Sequence, residues 1–390
     1  MENIVFCGYN VFPIGYAQTQ RLLLIAKGLN EQKVNVHILC RYGTYNANQK
    51  NVESEGTYEN IPYYYCSGES FRNNDFFIRN IKKVRGIVME FIFLFKKRIA
   101  GKLDYILVST NSFENAIYYS LLSKMLFTKT IIDNTEYWSS VNREKINFGD
   151  AIYDFLTPIL YNKVICISDF LFNHTLKFKK EKNILKIPAI VDFSKFDSET
   201  QKPNVNNYIL FCGSAVYFEI IDFIIASFEA IENDLVKLVL VSSNGSNSDF
   251  EKLYKRIDSS PKKSLIVVKK DLSYEVLVSL YKNSLALLIP LRPTIEDMAR
   301  FPHKLGEYTA SKSIIVTTKF GEIPNYFIDS ENALIANKYS IEEYAAKINL
   351  AIVQNDAIEK MKINSFETGL LNFDYKNSGK KIYNFLFKSS

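Results

Sequence analysis

Asn3-Ile-Val-Phe-Cys-Gly8 is a short apolar run closed by a glycine, and Val34-Asn-Val-His-Ile-Leu39 is a second such run. Between them, residues 16–32 carry apolar side chains at helical spacing. A strand, a helix and a strand of these lengths make a β-α-β unit, whose crossover favours a parallel sheet. Apolar runs at 105–109, 129–133 and 164–167 continue the series, with helical stretches at 112–126 and 169–178 between them. The N-terminal half therefore reads as a doubly wound sheet.

Downstream, Asp197-Ser-Glu-Thr-Gln-Lys-Pro-Asn-Val-Asn-Asn207 is polar and turn-forming, the composition of a linker. The alternation then restarts, with strands expected at 208–212, 235–242, 264–268, 286–290 and 314–318, and helices at 220–231, 273–282 and 303–311. The expected fold class is α/β, with two Rossmann-like domains facing a central cleft. The boundaries are 1–196 and 207–374, and residues 375–390 form an aromatic-rich terminal helix packing back on the N-terminal domain. A chain of 390 residues exceeds what one core usually organises, which agrees with two domains.

With 47% hydrophobic and 23% charged residues the chain is neither disordered nor collagen-like. Cys7, Cys40, Cys66, Cys166 and Cys212 are scattered without C-x-x-C spacing, so reduced, partly buried thiols are expected rather than a zinc site. The N-terminus lacks a signal-peptide layout, and no apolar run approaches a membrane span, which points to a cytoplasmic protein. The net charge of +6 is too mild to imply nucleic acid. A dehydrogenase is disfavoured because no G-x-G-x-x-G follows the first strand.

In open α/β sheets, ligands bind beyond the carboxyl ends of the strands, where loops enter helix N-termini. Three such loops stand out. The first is Gly8 to Gln18, in which Gly15 precedes a helix; the second is Gly213-Ser214, after the first strand of the second half. Either is a plain turn or a backbone cradle for phosphate. The third runs from Arg292 through Arg300-Phe-Pro-His-Lys-Leu-Gly-Glu-Tyr-Thr-Ala310. Pro302 suits the first helical position. Lys304 and Glu307 share a helix face with His303, and a cation at a helix start opposes the dipole unless an anion comes to it. A nucleotide diphosphate is such an anion, with Arg300, Lys304, His303 or Arg292 opposite its phosphates and Glu307 accepting from ribose hydroxyls. A solvated Lys–Glu pair is the plainer alternative.

Residues 79–99 form a further candidate. Val84, Ile87, Val88, Phe91, Ile92 and Phe95 make a helical stripe flanked by Arg79, Lys82, Lys83, Arg85, Lys96, Lys97 and Arg98. Such a helix either rests on an anionic membrane, where a lipid-linked acceptor is found, or packs into the core with a solvated basic face.

Phe301-Pro-His-Lys-Leu-Gly-Glu-Tyr-Thr-Ala310, with Ile314-Ile-Val-Thr-Thr318, Gly321-Glu-Ile-Pro324 and Glu331-Asn-Ala-Leu334, resembles the donor-site signature of retaining GT-B glycosyltransferases, the family 4 type of the group 1 glycosyl transferases. Pro13-Ile-Gly15-Tyr-Ala17 is similar to that family's N-terminal glycine loop, Asp133-Asn-Thr-Glu136 to its Asp-x-x-Glu, and Ile187-Pro188 with Val191-Asp192 to the segment before its linker. The resemblance implies an N-terminal acceptor domain, a C-terminal donor domain, and transfer with retention from a nucleotide-diphosphate sugar without metal or other cofactor. The acceptor implied is a saccharide, free or lipid-linked, in surface polysaccharide or glycan biosynthesis. It implies donor binding at Gly15, Gly213, Ser214, Arg300, His303, Lys304, Leu305 and Glu307, and catalytic roles for Lys304 and Glu136; Glu136 orients the acceptor or the N-domain loop, or is instead a buried structural carboxylate. Two positions depart from the pattern. Ala299 stands where the first motif glutamate belongs, and Gly213-Ser-Ala-Val-Tyr-Phe-Glu219 lacks the usual arginine and lysine. A non-catalytic partner of the same fold and a nucleotide-sugar epimerase are the competing expectations.

Overall fold

The computed structural model describes the chain except residues 1, 9, 47–51, 111, 142–147, 199–202, 244 and 389–390. It divides into two compact units, Met1–Ile190 with Tyr375–Ser390, and Val191–Asp374. The division falls at Ile190, ahead of the polar stretch 197–207.

The first unit runs β1 (Asn3–Gly8), α1 (Ala17–Glu31), β2 (Asn35–Cys40), β3 (Glu55–Tyr58), β4 (Ile61–Tyr65), α2 (Phe76–Ile99), β5 (Tyr105–Ser109), α3 (Phe113–Met125), β6 (Lys129–Asn134), α4 (Phe148–Leu160), β7 (Lys163–Cys166), α5 (Asp169–Leu176) and β8 (Ile184–Lys186). Its sheet has the order β3-β4-β2-β1-β5-β6-β7-β8, parallel except for the β3–β4 hairpin. β5 and β7 are buried at every residue, as continuous apolar strands covered on both faces should be. The helices start where the sequence supplies caps: Asp75 accepts from Ile78 N, Ser112 from Asn115 N and Ser168 from Leu171 N.

The second unit runs β9 (Tyr208–Cys212), α6 (Phe218–Glu229), β10 (Lys237–Val241), α7 (Asn247–Asp258), β11 (Ile266–Lys269), α8 (Tyr274–Lys282), β12 (Ala286–Ile289), α9 (Ile295–Ala299), α10 (His303–Ala310), β13 (Ile315–Thr318), α11 (Ile323–Tyr326), β14 (Leu334–Ala336), α12 (Ile341–Ile352) and α13 (Asp356–Phe373). Its sheet is parallel throughout, in the order β11-β10-β9-β12-β13-β14. The order reverses at β9–β12, so the carboxyl ends of β9 and β12 flank the switch point where ligands bind in such sheets.

The terminal helix α14 (Tyr375–Tyr383) returns to the first unit and crosses α1 at two glycines. A Cβ on Gly28 would lie 2.5 Å from Tyr375 O, and one on Gly379 2.3 Å from the Gly28 carbonyl carbon. Beyond α14, Phe385 and Leu386 enter the core with Leu22 and Ile25 of α1, and Tyr105 Oη donates to Leu386 O at 2.9 Å.

α2 faces the other way from an ordinary core helix. It buries only Gly86, Glu90 and Leu94, and Glu90 meets Arg41 Nε at 3.0 Å and Tyr119 Oη at 2.8 Å. Val84, Val88 and Phe95 of the apolar stripe are exposed, and Ile81 is 67% exposed. The reading as a packed core helix with a solvated basic face does not hold, because the polar cluster at Glu90 takes the inward side and turns the apolar stripe outward. Among the described residues no helix is long and apolar enough to cross a membrane.

Candidate active site

At the switch point of the second sheet, β9 enters the loop Gly213–Tyr217 and β12 enters the segment carrying α9 and α10. Pro302 is the N-cap of α10 rather than its first helical residue, and its carbonyl accepts from Leu305 N at 3.0 Å. Glu307, in the second turn, is 7% exposed. Tyr274 Oη of α8 lies 3.4 Å from Glu307 Oε1, and His303 Nε2 lies 3.9 Å from the same oxygen. Burial, then the neighbouring Glu307 carboxylate, pushes the Tyr274 phenol well above its ordinary range, so at neutral pH it is a hydrogen-bond donor.

Lys304 faces Cys212, the last residue of β9. Burial works against its charge, but the Cys212 sulfur and the Glu307 carboxylate outweigh it and hold the ammonium's pKa above the ordinary lysine value. Lys304 is therefore charged at neutral pH, beside the loop that starts at Gly213. The plainer reading of a solvated Lys–Glu pair does not describe this place. Tyr308 Oη accepts from Cys212 N at 3.3 Å, which ties α10 to the end of β9.

The other predicted donor residues are distributed unequally. Gly213 N–H donates to Val241 O at 3.0 Å, prolonging the strand pairing, so that amide is engaged. Ser214 begins the turn, its Oγ 3.3 Å from Val216 N and its carbonyl accepting from Tyr217 N. Leu305 is fully buried and packs α10 against the core. Arg300 pairs with Glu296 at 2.5 Å and reaches Tyr217 Oη at 3.1 Å.

Arg292, expected from the sequence to face phosphate, is the hub of a carboxylate cluster in which Glu296 and Asp297 are buried and Glu219 is exposed. It meets Asp297 through Nε at 2.9 Å and Nη2 at 2.7 Å, Glu296 at 3.1 Å and Glu219 at 3.5 Å. Glu296 and Asp297, the carboxylates nearest the missing motif glutamate, are thus occupied by arginines, and Ala299 itself is fully buried. Tyr274, Cys212 and Tyr217 do not stand out in the sequence as partners of α10 or Arg300. Their partners lie 33 to 96 residues away, and no local spacing signals such contacts; the Glu296–Arg300 pair is the exception, four residues apart.

In the first unit, Gly15 sits in a loop held by two tyrosines. Tyr45 Oη accepts from Ile14 N at 2.9 Å and donates to Ile14 O at 2.7 Å, and Tyr65 Oη donates to Phe12 O at 2.7 Å. A Cβ on Gly15 would lie 2.1 Å from Thr19 Oγ1, so the loop closes tightly on α1. Asp133 is engaged in holding the fold, since it takes Arg21 Nε and Nη2 at 2.8 and 2.9 Å, and Arg21 also donates to Pro188 O at 2.6 Å. Glu136, two residues beyond β6, is partly buried ahead of a turn that Asp154 holds. Asp154 accepts from Trp138 N at 3.0 Å and from Ser139 N and Oγ at 2.8 and 2.6 Å, an anchor with no signature in the sequence.

Two parallel Rossmann-like units, with polar loops at a switch point of the second, define the GT-B architecture. Residues 192–368 match the family model described as Glycosyl transferases group 1. That span takes in nearly all of the second unit, and the chain is a glycosyltransferase. Among solved structures it is similar to the Anabaena protein HepE in complex with UDP-glucose, with a TM-score of 0.74, 12% identity and 100% of each chain covered. It is also similar to sucrose-phosphate synthase from Thermosynechococcus elongatus, with a TM-score of 0.75 and 13% identity over 100% of each chain. A third is an Escherichia coli structure named for trehalose-6-phosphate, bound with UDP-2-fluoro glucose, with a TM-score of 0.68 and 11% identity over 99% of each chain. At such identities the likeness is one of fold. No curated protein matches the chain by sequence.

Proposed function

We propose that the chain transfers a sugar from a nucleotide-diphosphate sugar to a saccharide acceptor, free or lipid-linked, with retention of configuration and without a metal ion. The observation that carries this reading is Glu307, a buried carboxylate on α10 with Tyr274 and His303 beside it and charged Lys304 one turn earlier. A carboxylate so placed accepts two ribose hydroxyls, while the ammonium stabilises the diphosphate as it departs. Ser214 and the turn after it offer further polar contact to the phosphates, with His303 at their edge. Glu136 orients the acceptor hydroxyl. The relatives bound to UDP and UDP-sugars support a uridine nucleotide as the first donor to try. The outward apolar stripe and basic flanks of α2 support an acceptor met at the inner face of a membrane, where the protein is peripheral, in surface polysaccharide or glycan assembly.

The test is thermal stabilisation by UDP, GDP, ADP and their sugar conjugates, for the native chain and for Glu307→Ala. A ligand at about 100 times its dissociation constant adds about 2.7 kcal/mol of stability. Stabilisation by one nucleotide, reduced at least tenfold in apparent affinity by the substitution, is the expected result; hydrogen bonds to a charged group are worth about 1.5–3 kcal/mol. Absence of any shift would overturn the donor assignment.

A further inference from the structure

In the first unit, the loops after β2 and β4 and the first turns of α2 wall a cavity of about 280 Å³. Thr44 N donates to Ser70 O at 2.8 Å and Arg72 N to Tyr45 O at 2.8 Å, so the two loops form one rim. β2 and β4 are parallel neighbours, and the cavity lies beyond their carboxyl ends, where such sheets place ligands. Small-molecule sites start at about 300 Å³, so this is the size for a single small ligand.

The lining joins two chemistries. Arg72, Arg79, Lys82 and Lys83 bring four cations against one lining carboxylate, Glu69, which pairs with Lys82 at 3.1 Å. Asp75, the next acid along the chain, is committed to capping α2 through Ile78 N at 2.9 Å. Among the described residues no carboxylate pairs with Arg72, Arg79 or Lys83. At 100° per residue Arg79 and Lys83 stand on the Glu90 side of α2, toward the loops and away from its outer apolar row. Like charges gathered in a concavity repel one another, and an anion relieves them. Tyr42 and Phe71 add aromatic rings to the same lining. A bare phosphate needs no such rings, whereas the C–H face of a sugar packs against them.

The rim also continues into the Gly15 loop. Tyr45, next to Thr44, accepts from Ile14 N at 2.9 Å and donates to Ile14 O at 2.7 Å through its hydroxyl. The cavity wall and the loop that closes on α1 are therefore one hydrogen-bonded assembly at the carboxyl edge of the first sheet.

We propose that this cavity recognises an acidic sugar, its carboxylate or phosphate held by Arg72, Arg79 and Lys83 and its ring against Tyr42 and Phe71. Calling that sugar part of the acceptor rests on the transferase reading, which the site narrows to acidic saccharides. Guanidinium groups suit the role, since they donate in pairs to carboxylate and phosphate oxygens.

Saturation-transfer NMR on the full chain tests this with glucuronic acid and glucose 6-phosphate as ligands, and with glucose, glycerol 1-phosphate and inorganic phosphate as competitors. Both acidic sugars should bind, and each competitor should need about tenfold higher concentration or more. The exposed pair Arg72→Gln with Lys83→Gln should weaken both acidic sugars about tenfold or more and flatten their salt dependence, at an unchanged melting temperature. Tyr42→Ala should cost the preference for the sugars over inorganic phosphate. Glu307→Ala should bind the acidic sugars as the native chain does, which separates them from the donor site.

Equal competition by inorganic phosphate or glycerol 1-phosphate would mean a site for any phosphate, a lipid headgroup included, and would overturn the saccharide assignment. Equal competition by glucose would remove the acid from the recognition. A native chain that binds neither acidic sugar, or a cation pair that binds both normally, would overturn the site itself. The nucleotide shift on the same preparations keeps the two readings apart. A normal shift without acidic-sugar binding rejects only this cavity, whereas acidic-sugar binding without any shift rejects only the donor site.

Discussion

Arg292 shows how one residue changes meaning between sequence and structure. In the sequence it is a cation at the end of a strand; in the fold it is held by buried Asp297 and Glu296, with exposed Glu219 at the edge. Arg292→Ala would leave the buried Asp297 carboxylate without its guanidinium partner, while Glu296 keeps Arg300; removing one partner of a buried pair costs about 3–5 kcal/mol. The expected outcome is a lower melting temperature of the second unit in the absence of nucleotide, measured by calorimetry. A variant that melts like the native chain but loses donor affinity would instead return Arg292 to phosphate binding. Arg256 makes a comparable clasp between α7 and α6, with Glu229 at 2.8 and 2.9 Å and Asp222 at 2.5 Å. The Arg256 hydrogen bonds hold Glu229 below its ordinary pKa of 4.5. Below the unfolded value the native state resists taking up the proton, so this contribution is complete above about pH 4.5 and is lost as pH falls through the depressed native pKa. Glu229→Gln should accordingly reduce stability at pH 7 and flatten the acid side of the stability profile, as read from denaturant midpoints across pH.

Elements were legible where the chain is buried on both faces. The runs at 105–109, 208–212 and 286–290 are continuously apolar because helices cover both sides of the sheets, and they stand in the structure as β5, β9 and β12. The β3–β4 hairpin was not legible, since β3 is exposed at every residue and β4 alternates through tyrosines and a proline. α10 was legible as a helix with Lys304 and Glu307 on one face, but its partners Tyr274 and Cys212 come from other elements, and only the fold brings them in. The direction α2 faces was also undecided in the sequence, because an apolar stripe has the same period whether it points inward or outward. At this scale the α1–α14 crossing is the most sensitive joint. Gly379→Ala would place a methyl 2.3 Å from the Gly28 backbone, so the helices must separate. Such overpacking costs about 1–3 kcal/mol, and the expected reading is a lower melting temperature with the nucleotide shift retained. A variant as stable as the native chain would show that the crossing can open freely.

For the whole molecule, chain order and structural unit do not coincide. The last stretch of the chain closes the first unit: Tyr375, Ile382, Phe385 and Leu386 share one core with Leu22, Leu24 and Ile25 of α1 and with Ile4 and Phe6 of β1. Lys163 donates to Phe385 O, and Tyr105 donates to Leu386 O, so two strands also rely on this segment for hydrogen-bond partners. Removing 375–390 would expose the apolar side of α1 and leave the Lys163 ammonium without that acceptor, two of the mechanisms that produce large losses of stability. The second unit has its own sheet and its own core, which includes Ile209, Leu238, Leu288 and Val316. A chain ending at Asp374 should therefore lose the calorimetric transition of the first unit and bind hydrophobic dye, while the nucleotide that stabilises the native protein still stabilises what remains. If the truncated chain keeps both transitions, the terminal segment is an accessory to the first unit; if it loses both, the second unit depends on the first for its stability.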